Sequence, residues 1–224
     1  MTEPALLPAV VHETGADAAV IFLHGLGDDG NGWSGVVPEL RLPSNFRVRF
    51  VFPHAPVMPV TINNGFRMRA WYDIHQADLG SRADLDGVRA SQRHLEALVA
   101  AERARGIDAS RIVIGGFSQG GAVALYTGLR HAERLAGIVA LSTYLIGGEA
   151  LAYEASSVNR DLPILMAHGL HDPVVQFAWA EQSRKALEQG GWHPEWHTYP
   201  MEHSAVLEEI RTVGAFIARV LTVR

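Results

Sequence analysis

The sequence predicts an α/β fold built on a mostly parallel, doubly wound sheet, and three observations predict it. Short apolar runs alternate with longer segments of three- and four-residue periodicity. The runs AAVIFL, RIVIG, GIVAL and PILMA are nearly continuous, as expected of strands covered by helices on both faces. One of them leads into GGFSQGG, a glycine-flanked join between a strand and what reads as a helix.

Strands are expected at Ala18–Leu23, Arg47–Phe52, Arg111–Gly115, Gly137–Leu141, Pro163–Ala167 and Glu195–Tyr199. The first helix is expected over Asp84–Arg105. Its Leu85, Val88, Leu95, Leu98 and Val99 share one side and its Arg89, Arg93, Glu96 and Arg103 the other, and Gly106 is placed to stop it. Further helices are expected at Gly120–Arg130, Val174–Gln189 and Ser204–Val220, the last capped by Ser204 with Leu207, Ile210, Val213 and Ile217 as its apolar stripe. Two stretches break the alternation, Pro53–Ser81 and Ser142–Asp161. Long irregular segments in a compact domain are usually functional, so both are candidates for substrate walls, the alternative being plain surface loops.

With 224 residues, 48% hydrophobic and 19% charged, the chain fits one globular domain spanning residues 1–224. A net charge of −5 without any block of like charge argues against a nucleic-acid partner. The absence of cysteine excludes disulfides and thiol nucleophiles. The N-terminal residues lack the basic and apolar regions of a signal peptide. No apolar run reaches the ~18 residues that span a bilayer, so a cytoplasmic protein without stable membrane insertion is expected. A homodimer is left open.

Gly116-x-Ser118-x-Gly120 fits either a presented nucleophile or merely a tight join. Serine needs an imidazole to take its proton, and the imidazole needs a carboxylate to fix its tautomer. Doubly wound hydrolytic folds supply these in the order Ser, acid, His. The strand PILMA runs into HGLHDPVV, which puts Asp172 beyond a strand end, where it also suits a helix N-cap. Glu149, Glu154, Asp161, Glu181 and Glu188 lie in the irregular insertion, before a strand or within a helix.

Among the eleven histidines, His203 alone follows both Asp172 and the last strand directly before a helix. His24 and His168 end strands as His-Gly pairs and are expected to brace loops. Acyl transfer also needs two N–H donors for an oxyanion. Gln119 at a helix start offers one, and the glycine-rich loop of AVIFLHGLGDDG offers the other. Phosphate binding does not fit GLGDDG, which carries two acids and no GK[ST]. HGLHD lacks the companion ligands of a catalytic metal.

With these residues in place, the chain resembles the carboxylesterase, lysophospholipase and acyl-protein thioesterase family of α/β-hydrolases. IFLHGLGDDG, FPHAPVMPVTINNG, WYDI, GIDASRIVIGGFSQGGAVAL, ALST, HGLHDPVV and YPMEHS appear in order along nearly the whole chain, and VTINNG, WYDI and ALSTY look most like a bacterial carboxylesterase branch. Only ~20 residues separate the strand ending at Leu141 from the next, too few for a large lid, so a single-domain fold without one is expected. The resemblance implies Ser118 as nucleophile, His203 as base and Asp172 as its partner. It further implies an oxyanion hole of the Leu26 and Gln119 N–H groups, and Trp71 either bordering the acyl pocket or serving as a packing anchor. With no metal-ligand motif in the chain, no metal or other cofactor is expected.

The expected activity is serine carboxylesterase on short- to medium-chain esters. The alternatives are an acyl-protein thioesterase or a lysophospholipase using the same three residues, and a non-catalytic binding protein of this fold. The partner is accordingly a small-molecule ester, an acylated protein or a lysophospholipid. One position departs from the family, which usually has glycine where this chain has Glu202 before His203. A carboxylate close to His203 would favour the imidazolium and raise the pH at which activity develops; otherwise Glu202 faces solvent.

Overall fold

The computed structural model describes residues 5–13, 15–75 and 84–222. Its main sheet has seven strands in the order β1 (Ala9–His12), β3 (Val48–Pro53), β2 (Ala18–Leu23), β6 (Ile112–Phe117), β7 (Gly137–Leu141), β8 (Ile164–Gly169) and β9 (Glu195–Tyr199). All neighbours are parallel except β1, which runs antiparallel to β3 at the edge. From β2 the chain moves outward to β3, whereas from β6 it moves the other way to β7. The order therefore reverses between β2 and β6, and a crevice opens there at the carboxyl ends of the strands.

Side chains alternate across this sheet with a period of two. In β2, Ala19, Ile21 and Leu23 join one core, whose helical side is α2 (Leu85–Ala104), α3 (Gln119–Gly128) and α5 (Phe177–Gln189). Ala18, Val20 and Phe22 join a second core with α6 (Leu207–Thr222) and Trp33 of the short α1 (Gly30–Ser34). Every residue of β2, β3, β7 and β8 is buried, in keeping with their unbroken apolar runs.

The structure revises several boundaries. β1 and the hairpin of β4 (Val57–Val60) and β5 (Phe66–Arg69) were not expected. The hairpin occupies part of the Pro53–Ser81 stretch, whose residues 76–81 lie outside the described residues. Asp84 does cap α2, accepting from Gly87 N–H, but Leu85 is exposed rather than part of the stripe. α5 begins at Phe177, after the Asp172 turn has used Val174 and Val175 N–H groups. α6 begins at Leu207, so Ser204 is not its cap. The Ser142–Asp161 stretch holds only short helical turns, including α4 (Leu151–Glu154).

Glu209 lies fully buried in the first turn of α6, and neither carboxylate oxygen makes a normal hydrogen bond among the described residues. Burial raises its pKa to about 8, opposed only in part by the Val206 backbone. An acid whose folded pKa exceeds its unfolded value stabilises the fold most below the unfolded value, and that contribution is lost as pH rises through the folded one. The melting temperature is thus expected to fall between about pH 4.5 and pH 8. Glu209→Gln should flatten that slope in a pH series of thermal melts, an effect on the order of a few kcal/mol.

Candidate active site

β6 carries Ser118 to the crevice and α3 leaves immediately after it. The Ser118 backbone sits at φ 54°, ψ −120°, a region that side-chain-bearing residues rarely adopt. Three bonds hold it there. Ser118 N–H donates to Leu141 O at 2.8 Å. Ser118 O accepts from Thr143 Oγ1 at 2.6 Å and from Ala122 N–H at 3.1 Å. The hydroxyl makes no cap bond to α3, so it is not absorbed by the helix start and lines the cleft instead.

The glycines of GGFSQGG make the turn sterically feasible. A Cβ on Gly116 would stand 2.4 Å from the Gly120 carbonyl carbon, and one on Gly120 would stand 2.4 Å from Leu23 O. α3 therefore packs backbone to backbone against the ends of β6 and β2. This leaves Gln119 N–H in the first turn without an intrahelical acceptor.

The loop after β2 reaches the same crevice. Gly27 turns it with φ +78° and donates its N–H to Arg69 O, while Asp28 N–H donates to Gly25 O. No acceptor for Leu26 N–H is found among the described residues. His24 braces the loop from beneath. Its Nε2 accepts from Ala55 N–H at 3.0 Å and is therefore bare, so Nδ1–H donates to Gly25 O at 2.7 Å. Burial lowers its pKa, outweighing the Gly25 carbonyl, and the ring stays neutral.

Asp172 and His203 meet beyond β8 and β9. Asp172 Oδ1 accepts from Val174 and Val175 N–H at 2.9 and 2.8 Å. Its Oδ2 accepts from His203 Nδ1 at 2.7 Å, which leaves Nε2 as the basic nitrogen of a half-buried imidazole. Burial alone would raise the Asp172 pKa, but the His203 hydrogen bond and charge, with the two valine N–H groups, outweigh it and lower it. The N-cap-like bonds and the bond to histidine are thus made by different oxygens of one carboxylate. His171 N–H donates to Met201 O at 3.1 Å, tying the two loops together. His168 braces this side, its Nε2–H donating to Val175 O at 2.8 Å.

Ser118 and His203 line one cleft of about 570 Å³. Its walls are largely apolar: Leu26 from the loop after β2, Trp33 from α1, Ile62 and Ile74 from the Pro53–Ser81 stretch, Phe117, and Val174. Tyr144 comes from the Ser142–Asp161 stretch, so both irregular segments do contribute walls. Its hydroxyl pairs with Tyr72 at 2.5 Å, and burial pushes its pKa up to about 12.

Trp71 is not among the cleft residues. It is 3% exposed and lies behind the site, with its indole N–H donating to His24 O at 2.9 Å and its backbone N–H to Gln119 Oε1 at 2.8 Å. The packing-anchor alternative therefore describes it. The Gln119 side chain was not anticipated. Its Nε2 also donates to Tyr72 O at 2.7 Å, so it clamps the 71–72 backbone onto the serine turn. Neither this clamp nor the Thr143 bond has a sequence signal beyond adjacency to the serine and to the β7 end.

Glu202 is exposed, forms no ion pair with His203 among the described residues, and has no positive φ that would call for glycine. Glu202→Gly should leave the pH–rate profile of ester hydrolysis unshifted; a displacement of half a pH unit or more would contradict this placement.

Comparison with known proteins gives the family. Residues 8–221 match the Phospholipase/Carboxylesterase family. Acyl-protein thioesterase 1 of Neurospora crassa is 43% identical over 96% of this chain and 90% of its own, and the protein of the same name from Gibberella zeae is 40% identical over 97% and 95%. The crystal structure of Zea mays acyl-protein thioesterase 2 superposes with a TM-score of 0.82 at 31% identity, covering 96% of this chain and all of the other. The chain belongs to the phospholipase/carboxylesterase family of α/β-hydrolases and is an enzyme of the esterase class.

Proposed function

We propose that the chain deacylates thioester or ester substrates through an acyl-enzyme on Ser118, with S-acylated protein as the substrate class favoured by its relatives. The observation that carries the mechanism is the Asp172–His203 hydrogen bond opening on the cleft that holds Ser118. His203 Nε2 takes the Ser118 proton as Oγ bonds to the acyl carbon. The Leu26 and Gln119 N–H groups receive the resulting oxyanion, each donor contributing about 3 kcal/mol to the transition state. The imidazolium then gives its proton to the departing sulfur or oxygen. In the second half, His203 takes a proton from water, the hydroxide oxygen bonds to the acyl carbon, and Ser118 leaves with that proton.

Asp172 holds Nδ1 protonated throughout and stabilises the charged ring. The apolar walls Ile62, Ile74 and Tyr144 suit an acyl chain, and the volume is ample for one. The relatives named acyl-protein thioesterase, similar along almost their full length, support the thioester reading over a short-chain carboxylesterase. The absence of a large lid in the twenty residues 142–161 supports the second, a dispersed short- to medium-chain ester. Lysophospholipid is the third substrate of the same chemistry. Turnover of an S-palmitoyl peptide against a short aryl ester separates them. The first reading expects a kcat/KM at least about tenfold higher for the peptide, a gap of about 1.4 kcal/mol; the reverse ratio would favour the carboxylesterase.

A further inference from the structure

Asp28 and Asp29 follow one another in the loop after β2, yet only one has a structural task. Asp29 caps α1, its carboxylate accepting from the Asn31 backbone and side chain. The Asp28 carboxylate lines the catalytic cleft, and no hydrogen bond or ion pair to it is found among the described residues. The His24 imidazole, close enough to feel the Asp28 charge, is neutral by its own hydrogen bonds. A half-buried carboxylate in an apolar cleft without a partner is poorly solvated and attracts positive charge more strongly than one in open water.

Its neighbours in the cleft point to the part of a substrate it would meet. The leaving group must lie on the His203 side of Ser118, because His203 protonates it. The His203 ring is 4.7 Å from Phe117, and Phe117 is 5.2 Å from Trp33. Trp33 follows Gly32, where a Cβ would stand 2.4 Å from both Asp28 carboxylate oxygens. His203, Phe117, Trp33 and Asp28 thus succeed one another as neighbours in the cleft lining, beginning at the histidine that would protonate the leaving group.

Resting on the acyl-enzyme reading above, we propose that this part of the lining is a subsite for a cationic leaving group, with Asp28 meeting the charge and Trp33 and Phe117 flanking its carbon atoms. An alkylated ammonium suits this pairing of carboxylate and aromatic rings. The subsite acts on recognition of the alcohol or thiol that departs, and the acyl chain lies elsewhere.

The test compares acetylthiocholine with its neutral isostere, in which a tert-butyl group replaces the trimethylammonium. The expected kcat/KM ratio is about tenfold in favour of the cation at low ionic strength, declining as salt screens the pair. Asp28→Asn should bring the ratio near one, and Asp28→Glu should restore part of it. A ratio near one in the natural chain, or a ratio unaltered in Asp28→Asn, overturns the proposal. Binding of the non-hydrolysable thioether analogue of acetylthiocholine to Ser118→Ala, followed by calorimetry, reads the subsite without turnover. Binding that weakens in the added Asp28→Asn change supports the subsite even if the natural chain proves inactive, which would sink only the hydrolase reading. Binding indifferent to Asp28 overturns the subsite.

Discussion

Asp172→Asn is expected to lower kcat about 10⁴-fold while KM and the melting temperature change little. The asparagine Oδ1 can still accept from the Val174 and Val175 N–H groups that Asp172 engages, so the loop keeps its form. Its Nδ2, however, would point a donor at His203 Nδ1 in place of the Oδ2 acceptor. The imidazole would then settle with Nδ1 bare and Nε2 protonated, the tautomer that cannot take a proton from serine. A kcat loss together with an unchanged thermal melt is the signature. A loss below about tenfold would mean that Asp172 only caps its turn.

The second large effect is on folding. Gly120→Ala places a methyl group 2.4 Å from Leu23 O and 2.6 Å from His24 O, both backbone atoms of the central crevice. Neither can retreat without moving β2 or the loop after it, so a cost of about 3 kcal/mol or more is expected. That would appear as a large drop in the denaturation midpoint and in soluble yield. Gly35→Ala provides the control: its φ is −68° and a Cβ there meets no atom within 4 Å, so stability should hold to within about 0.5 kcal/mol. Equal tolerance at both glycines would show that α3 does not pack against the strand ends as described.

These two expectations also mark where the sequence was informative. AAVIFL and GIVAL lie where their apolar character put them, because strands buried on both faces have few alternative settings. AVVH and VMPV escaped notice because edge strands of four residues, one containing proline, carry no periodicity to read. The start of α6 was misplaced because a serine before an apolar stripe looks like a cap, whereas Ser204 belongs to the histidine loop and borders the cleft.

At the site, the meeting of Asp172 with His203 and the cleft shared by His203 and Ser118 were legible, because each residue follows a strand. Trp71 was not, since an aromatic residue in a long loop gives no sign of whether its ring faces a cavity or a neighbouring carbonyl. What decided it was the His24 and Gln119 partners, which lie forty-seven and forty-eight residues away in sequence. Glu202 lost its significance for a similar reason: its backbone has no positive φ, and among the described residues its carboxylate forms no ion pair with His203, neither of which the sequence reveals.

The central proposal is that Ser118, held by its strained turn, is the nucleophile of the cleft it shares with His203. Reaction with a fluorophosphonate followed by peptide mass spectrometry tests it most directly. One adduct per chain is expected, on the peptide containing Ser118, and none in Ser118→Ala. A label on another residue, or ester hydrolysis that survives Ser118→Ala, would contradict it.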